Sequence, residues 1–146
     1  MSVDGAQVRV LIGQAFGQTS PVKTFAPTIY LDVQLQPVSV FELPALAAEL
    51  ALYSIDHDIE VDGEPVAAHT LVLLAPGQTA HVCAPAGARL MVLGGDALDG
   101  HRLIWWNFVS SRKERLVQAG EDWAAQTMGQ VPGETEFIPL PERRIG

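Results

Sequence analysis

Four histidines, His57, His69, His81 and His101, are the side chains here best suited to hold a metal ion or exchange a proton near neutral pH. No two of them stand one residue apart, and His69 and His101 have no companion at ligand spacing. His57 sits beside a turn between Asp56 and Asp58 and reads as a surface side chain. His81 lies in the short apolar run Ala80–Cys83, where a lone imidazole reads as a satisfied or solvent-facing strand residue before it reads as a ligand. His81 and His57 are therefore the weak metal candidates, and no residue is assigned as catalytic or cofactor-binding. Asp56, Asp58, Glu60 and Asp62 form a dense carboxylate run, but their alternation with Ile59 and Val61 places them on the wet side of a strand. Cys83 is the single cysteine, so no internal disulfide can form, and its apolar neighbours predict a buried, reduced thiol. A G-x-S-x-G elbow, a glycine-rich phosphate loop and a C-x-x-C pair are all absent, which removes three common chemistries.

The elements that would position these groups are mostly strands. Leu31, Val33 and Leu35 alternate with Asp32, Gln34 and Gln36, the signature of a half-buried strand over Ile29–Leu35. Val8–Ile12, Val38–Phe41, Ala51–Ile55, Asp58–Val61, Val66–His69, Leu71–Leu74, Ala80–Cys83 and Arg89–Leu93 read as further short strands. Asp62–Gly63 is a two-residue hairpin turn, and Pro65 lies just beyond it, where a missing N–H costs little. Leu43–Leu50 has a helical composition, yet Pro44 and its shortness limit it to one turn at most. Short strands at regular spacing with turn signals between them belong to an all-β sandwich or barrel.

One helix interrupts this pattern. Ser111 and Glu114 have capping-box spacing, and Leu116, Val117 and Trp123 then form an apolar stripe over residues 111–127. Gly129 and Pro132 are expected to stop it, leaving an extended tail over residues 131–146. Ile104, Trp105, Trp106 and Phe108 precede the helix and are expected to pack it against a sheet.

With 146 residues, one domain over 1–146 is expected, and 48% hydrophobic residues can fill a substantial core. A net charge of -8 argues against a sequence-independent grip on nucleic acid. No apolar run approaches the roughly 20 residues needed to span a bilayer, and no basic-then-apolar stretch opens the chain. The expectation is a cytoplasmic protein.

Several long phrases carry a family resemblance. IWWNFVSSRKER at 104–115 and VPGETEFIPLPE at 131–142 closely resemble the C-terminal portion of bacterial pirin-family proteins. SPVKT at 20–24, YLDV at 30–33 and GGDALDG at 94–100 resemble segments of the same family's second domain. Pirins are built of two cupin domains in tandem, and this chain resembles only the second. The resemblance implies an all-β cupin, a double-stranded β-helix of jelly-roll type, with one C-terminal helix.

Metal-dependent cupins use an H-x-H pair and a carboxylate from one motif and a histidine from a second, a donor set suited to iron and its neighbours. Counting back from Gly63 at the family spacing places Asp56 near the carboxylate position. The two imidazole positions then fall on Leu50 and Leu52, or on Glu49 and Ala51. Pro76, Gly77 and His81 give P-G-x-x-x-H, a near miss of the second motif. In pirins the metal belongs to the other cupin. The resemblance therefore implies no cofactor here (if one is held, a divalent transition metal such as iron) and a structural or protein-interaction role. The alternatives are a quercetin 2,3-dioxygenase-like enzyme and a small-molecule-binding cupin. Loss of a partner domain exposes apolar surface, so a homodimer or a partner protein replacing the N-terminal cupin is expected, with Trp105, Trp106, Phe137 and Ile138 as its interface.

Overall fold

The computed structural model describes residues 1–142 and divides into two compact units, the first Met1–Ala97 and the second from Leu98 onward. One domain over 1–146 is the expectation from the sequence, against these two units. The first unit is a run of short strands: β1 (Ser2–Val3), β2 (Ala6–Ile12), β3 (Gln14–Ala15), β4 (Gln18–Thr19), β5 (Thr28–Leu35), β6 (Ser39–Leu43), β7 (Glu49–Ser54), β8 (Ile59–Val61), β9 (Glu64–Val66), β10 (Leu71–Leu73), β11 (Ala80–Ala84) and β12 (Ala88–Gly95).

Six of them form a sheet in the order β1-β2-β5-β12-β7-β10, and four form a second in the order β6-β11-β8-β9. Every pairing is antiparallel, and most neighbours are distant in sequence, as in a jelly roll. The inward side chains of the two sheets share one core, including Leu31, Val33 and Leu35 of β5, Phe41 of β6, Leu52 of β7, Val82 of β11 and Leu90 and Val92 of β12. The expected alternation on β5 is realised, and so is that of β8, with Ile59 and Val61 buried and Glu60 outward. Asp62 and Gly63 both take left-handed backbone (φ 51° and 85°), as a two-residue hairpin matching strand twist requires. This is a cupin-type sandwich whose two sheets remain separate rather than closing into a barrel.

The strand bounds differ at several places: β6 is Ser39–Leu43 rather than Val38–Phe41, β7 is Glu49–Ser54 rather than Ala51–Ile55, and β1, β3 and β4 are additional. Pro65 lies inside β9 rather than before it, which is allowed because β9 is the edge of its sheet. The expected strand Val66–His69 is therefore β9 at Glu64–Val66, followed by a turn in which His69 has φ 63°. Of Leu43–Leu50, Pro44–Ala48 is irregular, as the family resemblance implies, while Leu43 belongs to β6 and Glu49 and Leu50 to β7.

The second unit contains a hairpin, β13 (Leu103–Trp105) and β14 (Phe108–Ser110), and one helix, α1 (Lys113–Ala124). The hairpin is new relative to the sequence reading: Trp106 and Asn107 form its two-residue turn, with Trp106 at φ 53°. Asn107 thus sits at a hairpin tip. The helix is shorter than 111–127, and its capping box does not form. Its N-cap is Arg112, in extended backbone and without a side-chain cap, so Ser111 and Glu114 fall one position too early for the reciprocal bonds. Ser110 instead accepts the Arg112 N–H through its hydroxyl at 3.1 Å.

At its other end, neither Gly129 nor Pro132 stops the helix. Thr127 N–H donates to the Asp122 carbonyl (2.9 Å) and Gln126 N–H to that of Trp123 (3.0 Å), a Schellman motif with Gln126 in left-handed backbone (φ 57°). The apolar stripe is narrower than expected, with Leu116 and Gly120 buried, Trp123 half-buried and Val117 exposed. Residues 131–142 are irregular, and the rest of the expected tail, residues 143–146, lies outside the described residues.

Candidate functional site

The place to look for chemistry in this sandwich is the inner surface of β7, which holds Leu50 and Leu52, one of the two pairs on which the family spacing would put imidazoles. Side chains alternate along a strand, so Leu50, Leu52 and Ser54 point inward and Glu49, Ala51 and Tyr53 outward. Leu50 is 8% exposed and Leu52 1% exposed, and both belong to the core cluster. Ser54 is the buried polar side chain, and its hydroxyl donates to the His57 carbonyl at 2.5 Å, which spends its donor on the loop after β7. A hydrocarbon interior of this kind offers no lone pairs to a metal ion.

All four histidines lie on the surface. His81 points outward from β11, because Ala80, Val82 and Ala84 take the buried positions. Its backbone N–H donates to Asp62 Oδ1 (2.9 Å), its Nδ1 lies 3.2 Å from the same oxygen, and its Nε2 is 3.8 Å from Glu42 Oε1. His57 Nδ1 is 3.2 Å from Asp56 Oδ1. Among the described residues, no three or more His, Cys, Asp or Glu side chains are arranged to hold a metal ion. The metal set implied by the family fold does not fit these residues. Cys83 is free but half-buried on the outward side of β11, so it is not the buried thiol expected; the alternation that buries Val82 and Ala84 turns it out.

The carboxylate run has a structural use that its outward alternation did not reveal. Asp56 Oδ1 accepts the Arg89 N–H (2.9 Å), Asp58 Oδ1 accepts that of Ala68 (2.9 Å), and Asp62 accepts that of His81. Each carboxylate ties down backbone in a segment remote in sequence. The Arg89 N–H holds the Asp56 carboxyl below the usual carboxylate range, and the His81 N–H and ring do the same for Asp62. Asp32 is also held low, by the Arg89 guanidinium, which grips it through both Nε–Oδ1 (2.9 Å) and Nη2–Oδ2 (3.0 Å). Arg9, Asp32 and Arg89 line an open cleft of about 560 Å³ on the outer side of the six-stranded sheet.

The four residues expected to meet a partner sit in the second unit, where three of them pack internally. Trp106 meets Phe108 edge-on (5.6 Å, 86°) and Trp123 likewise (5.0 Å, 79°), and Trp123 stacks on Phe137 (6.0 Å, 26°). Trp105 lies against Gly120, where an added Cβ would come within 3.0 Å of its ring. Ile138 stays exposed, and its carbonyl accepts the Trp123 indole N–H at 2.8 Å. What the sequence reading missed is this cluster, signalled only by aromatics at 106, 108, 123 and 137 spread over distant positions.

The Pirin C-terminal cupin domain family matches residues 30–129. A pirin-like protein of Caulobacter vibrioides is 40% identical over 140 residues, covering 94% of this chain and 48% of that protein. A pirin-like protein of Solanum lycopersicum is 29% identical over 126 residues, covering 82% of this chain and 43% of that one. Among solved structures, a quercetin 2,3-dioxygenase from Acinetobacter baumannii superposes with a TM-score of 0.85 at 25% identity, covering 99% of this chain and 51% of that chain. The chain thus spans about half the length of the relatives it matches. By sequence and fold together, it belongs to the pirin family as a cupin domain of the C-terminal type.

Proposed function

We propose that this chain is a non-catalytic pirin-type cupin domain with a structural or protein-interaction role and no metal site of its own. The observation that carries this reading is the β7 interior: Leu50 and Leu52 occupy the two inward positions where imidazoles would be needed, while all four histidines face solvent. Supplying metal ligands there would require burying polar groups in a dry core, at a cost of several kcal/mol for each unpaired group. A cytoplasmic location is part of this reading, and no helix among the described residues is long and apolar enough to cross a membrane.

The second reading is a metal-dependent dioxygenase of the quercetinase type, favoured by the likeness to the Acinetobacter baumannii structure of that name. Protein purified from cells supplied with iron, nickel, copper and manganese decides between them by elemental analysis and by loss of quercetin absorbance. The expected result is metal far below one ion per chain and no quercetin turnover. One stoichiometric metal ion with turnover overturns the proposal and makes His81→Ala the next variant.

A further inference from the structure

Basic residues are scarce in the first unit. Residues 1–97 hold three, Arg9, Lys23 and Arg89, against ten Asp and Glu. Two of the three line the cleft of about 560 Å³ on the outer side of the six-stranded sheet. Strand register sets them astride Asp32: Arg9 on β2 is the direct partner of Asp32 on β5, and Arg89 on β12 partners Gln34, two residues along β5. At about 4.8 Å between strands and about 3.4 Å per residue, the two arginine Cα atoms stand about 12 Å apart, within the joint reach of their side chains.

The walls of the cleft are tied down. Ser20 holds the segment after β4 against β2: its hydroxyl donates to the Leu11 carbonyl (2.6 Å) and its N–H to that of Gly13 (2.9 Å). Asp32 orients Arg89 by accepting from Nε and Nη2, and Nη1 of that guanidinium has no partner among the described residues. Arg9 is exposed and likewise has no ion pair among the described residues; its charge acts on Asp32 only through space.

We propose that this cleft is a binding site for a small, singly charged carboxylic acid, with its carboxylate held between Arg9 and the free edge of Arg89. Charge selects the class. Two guanidiniums against one aspartate leave one positive charge in excess, which a carboxylate neutralises and a phosphate dianion exceeds. The planar guanidinium also matches a carboxylate through paired N–H donors. Gln7, Gln18 and Thr19 add amide and hydroxyl groups to the lining, so a hydroxylated acid fits better than an alkyl one. The whole chain is acidic and repels anions at long range, so affinity must come from these local contacts. The inference goes beyond the interaction reading above and does not rest on it.

Titration of nitrogen-15-labelled protein, followed by nuclear magnetic resonance at constant ionic strength, tests this with two probes. Sodium gluconate is the hydroxylated monocarboxylate, and inorganic phosphate is used at a pH where it is a dianion. Signals of Arg9, Asp32 and Arg89 are expected to shift and saturate with gluconate at a Kd of about 1 mM, the affinity that ordinary ligand efficiency gives a molecule of this size. Arg9→Gln is expected to weaken gluconate binding about 10-fold or more, the loss of one charge-assisted hydrogen bond, while the rest of the spectrum keeps the wild-type fold. Shifts that never saturate, or equal affinity in Arg9→Gln, overturn the proposal. Phosphate bound as tightly as gluconate overturns the assigned ligand class. Metal content measured on the same sample judges the non-catalytic reading separately, since no histidine lines the cleft.

Discussion

Asp32 illustrates how one residue serves both fold and surface. It stands on the outward side of β5 with its side chain only 14% exposed, and the Arg89 guanidinium binds both of its oxygens. Asp32, Asp56 and Asp62 are all held below the usual carboxylate range, chiefly by hydrogen bonds from Arg89 and His81. The sign follows from proton uptake: the unfolded chain binds protons more readily than the folded one, so these aspartates stabilise the fold above pH about 4 and lose that contribution as pH falls through their lowered values. Thermal unfolding midpoints are expected to stay level between pH 5 and 7 and to drop below about pH 4. In Asp32→Asn the midpoint should be lower at neutral pH and fall less steeply in acid. An unchanged acid slope would assign the loss to the other carboxylates. Leu50 and Leu52, by contrast, fill inward positions of β7 with hydrocarbon.

At the scale of elements, α1 departs from the ideal at both ends. Its N-cap is Arg112, which offers no oxygen to the orphan N–H groups, and its left-handed closing residue is Gln126, which carries a Cβ where glycine is favoured. Gln126→Gly is expected to raise stability by about 0.5–1 kcal/mol, since relief of left-handed crowding exceeds the extra entropy lost by glycine. Melting curves followed by far-ultraviolet circular dichroism check this, and a lowered midpoint would mean that Gln126 makes a compensating contact. Gly120 is the reverse case, a helix glycine kept because the Trp105 ring lies against it. Gly94 is held the same way, with the Glu49 carbonyl oxygen 2.6 Å from where a Cβ would stand.

For the whole molecule, charge and hydrophobicity pull association in opposite directions. Each chain carries -8, so two copies repel, while the outer face of the six-stranded sheet exposes Leu71, Leu73 and Leu93. Screening lengths shrink from about 10 Å at 0.1 M salt to about 3 Å at 1 M, which removes the repulsion and leaves the apolar contact. A homodimer is therefore expected to tighten as sodium chloride rises from 0.1 to 0.5 M, read by light scattering near its dissociation constant. Weakening with salt would point to an interface built on ion pairs such as those of Arg9 or Arg89.

Much of this protein was legible from local rules. Alternation on β5 and β8 and the Asp62–Gly63 turn follow from side-chain period and turn stereochemistry, which need only a few neighbouring residues. The lack of adjacent histidines was likewise a fact of the sequence, and it limited the chemistry before any strand was placed. The helix limits were missed because a capping box is only a spacing, and β14 ends one residue before Ser111, leaving the chain still extended at Arg112. Tertiary structure alone decided which strands neighbour one another, since β5, β12 and β7 pair across dozens of intervening residues. It also decided that Asp56, Asp58 and Asp62 tie down distant backbone and that Trp106, Trp123 and Phe137 meet. The apolar rows on the outer sheet face exist only once register has aligned Leu71, Tyr53 and Met91, because such a row is a property of neighbouring strands and no single strand contains it.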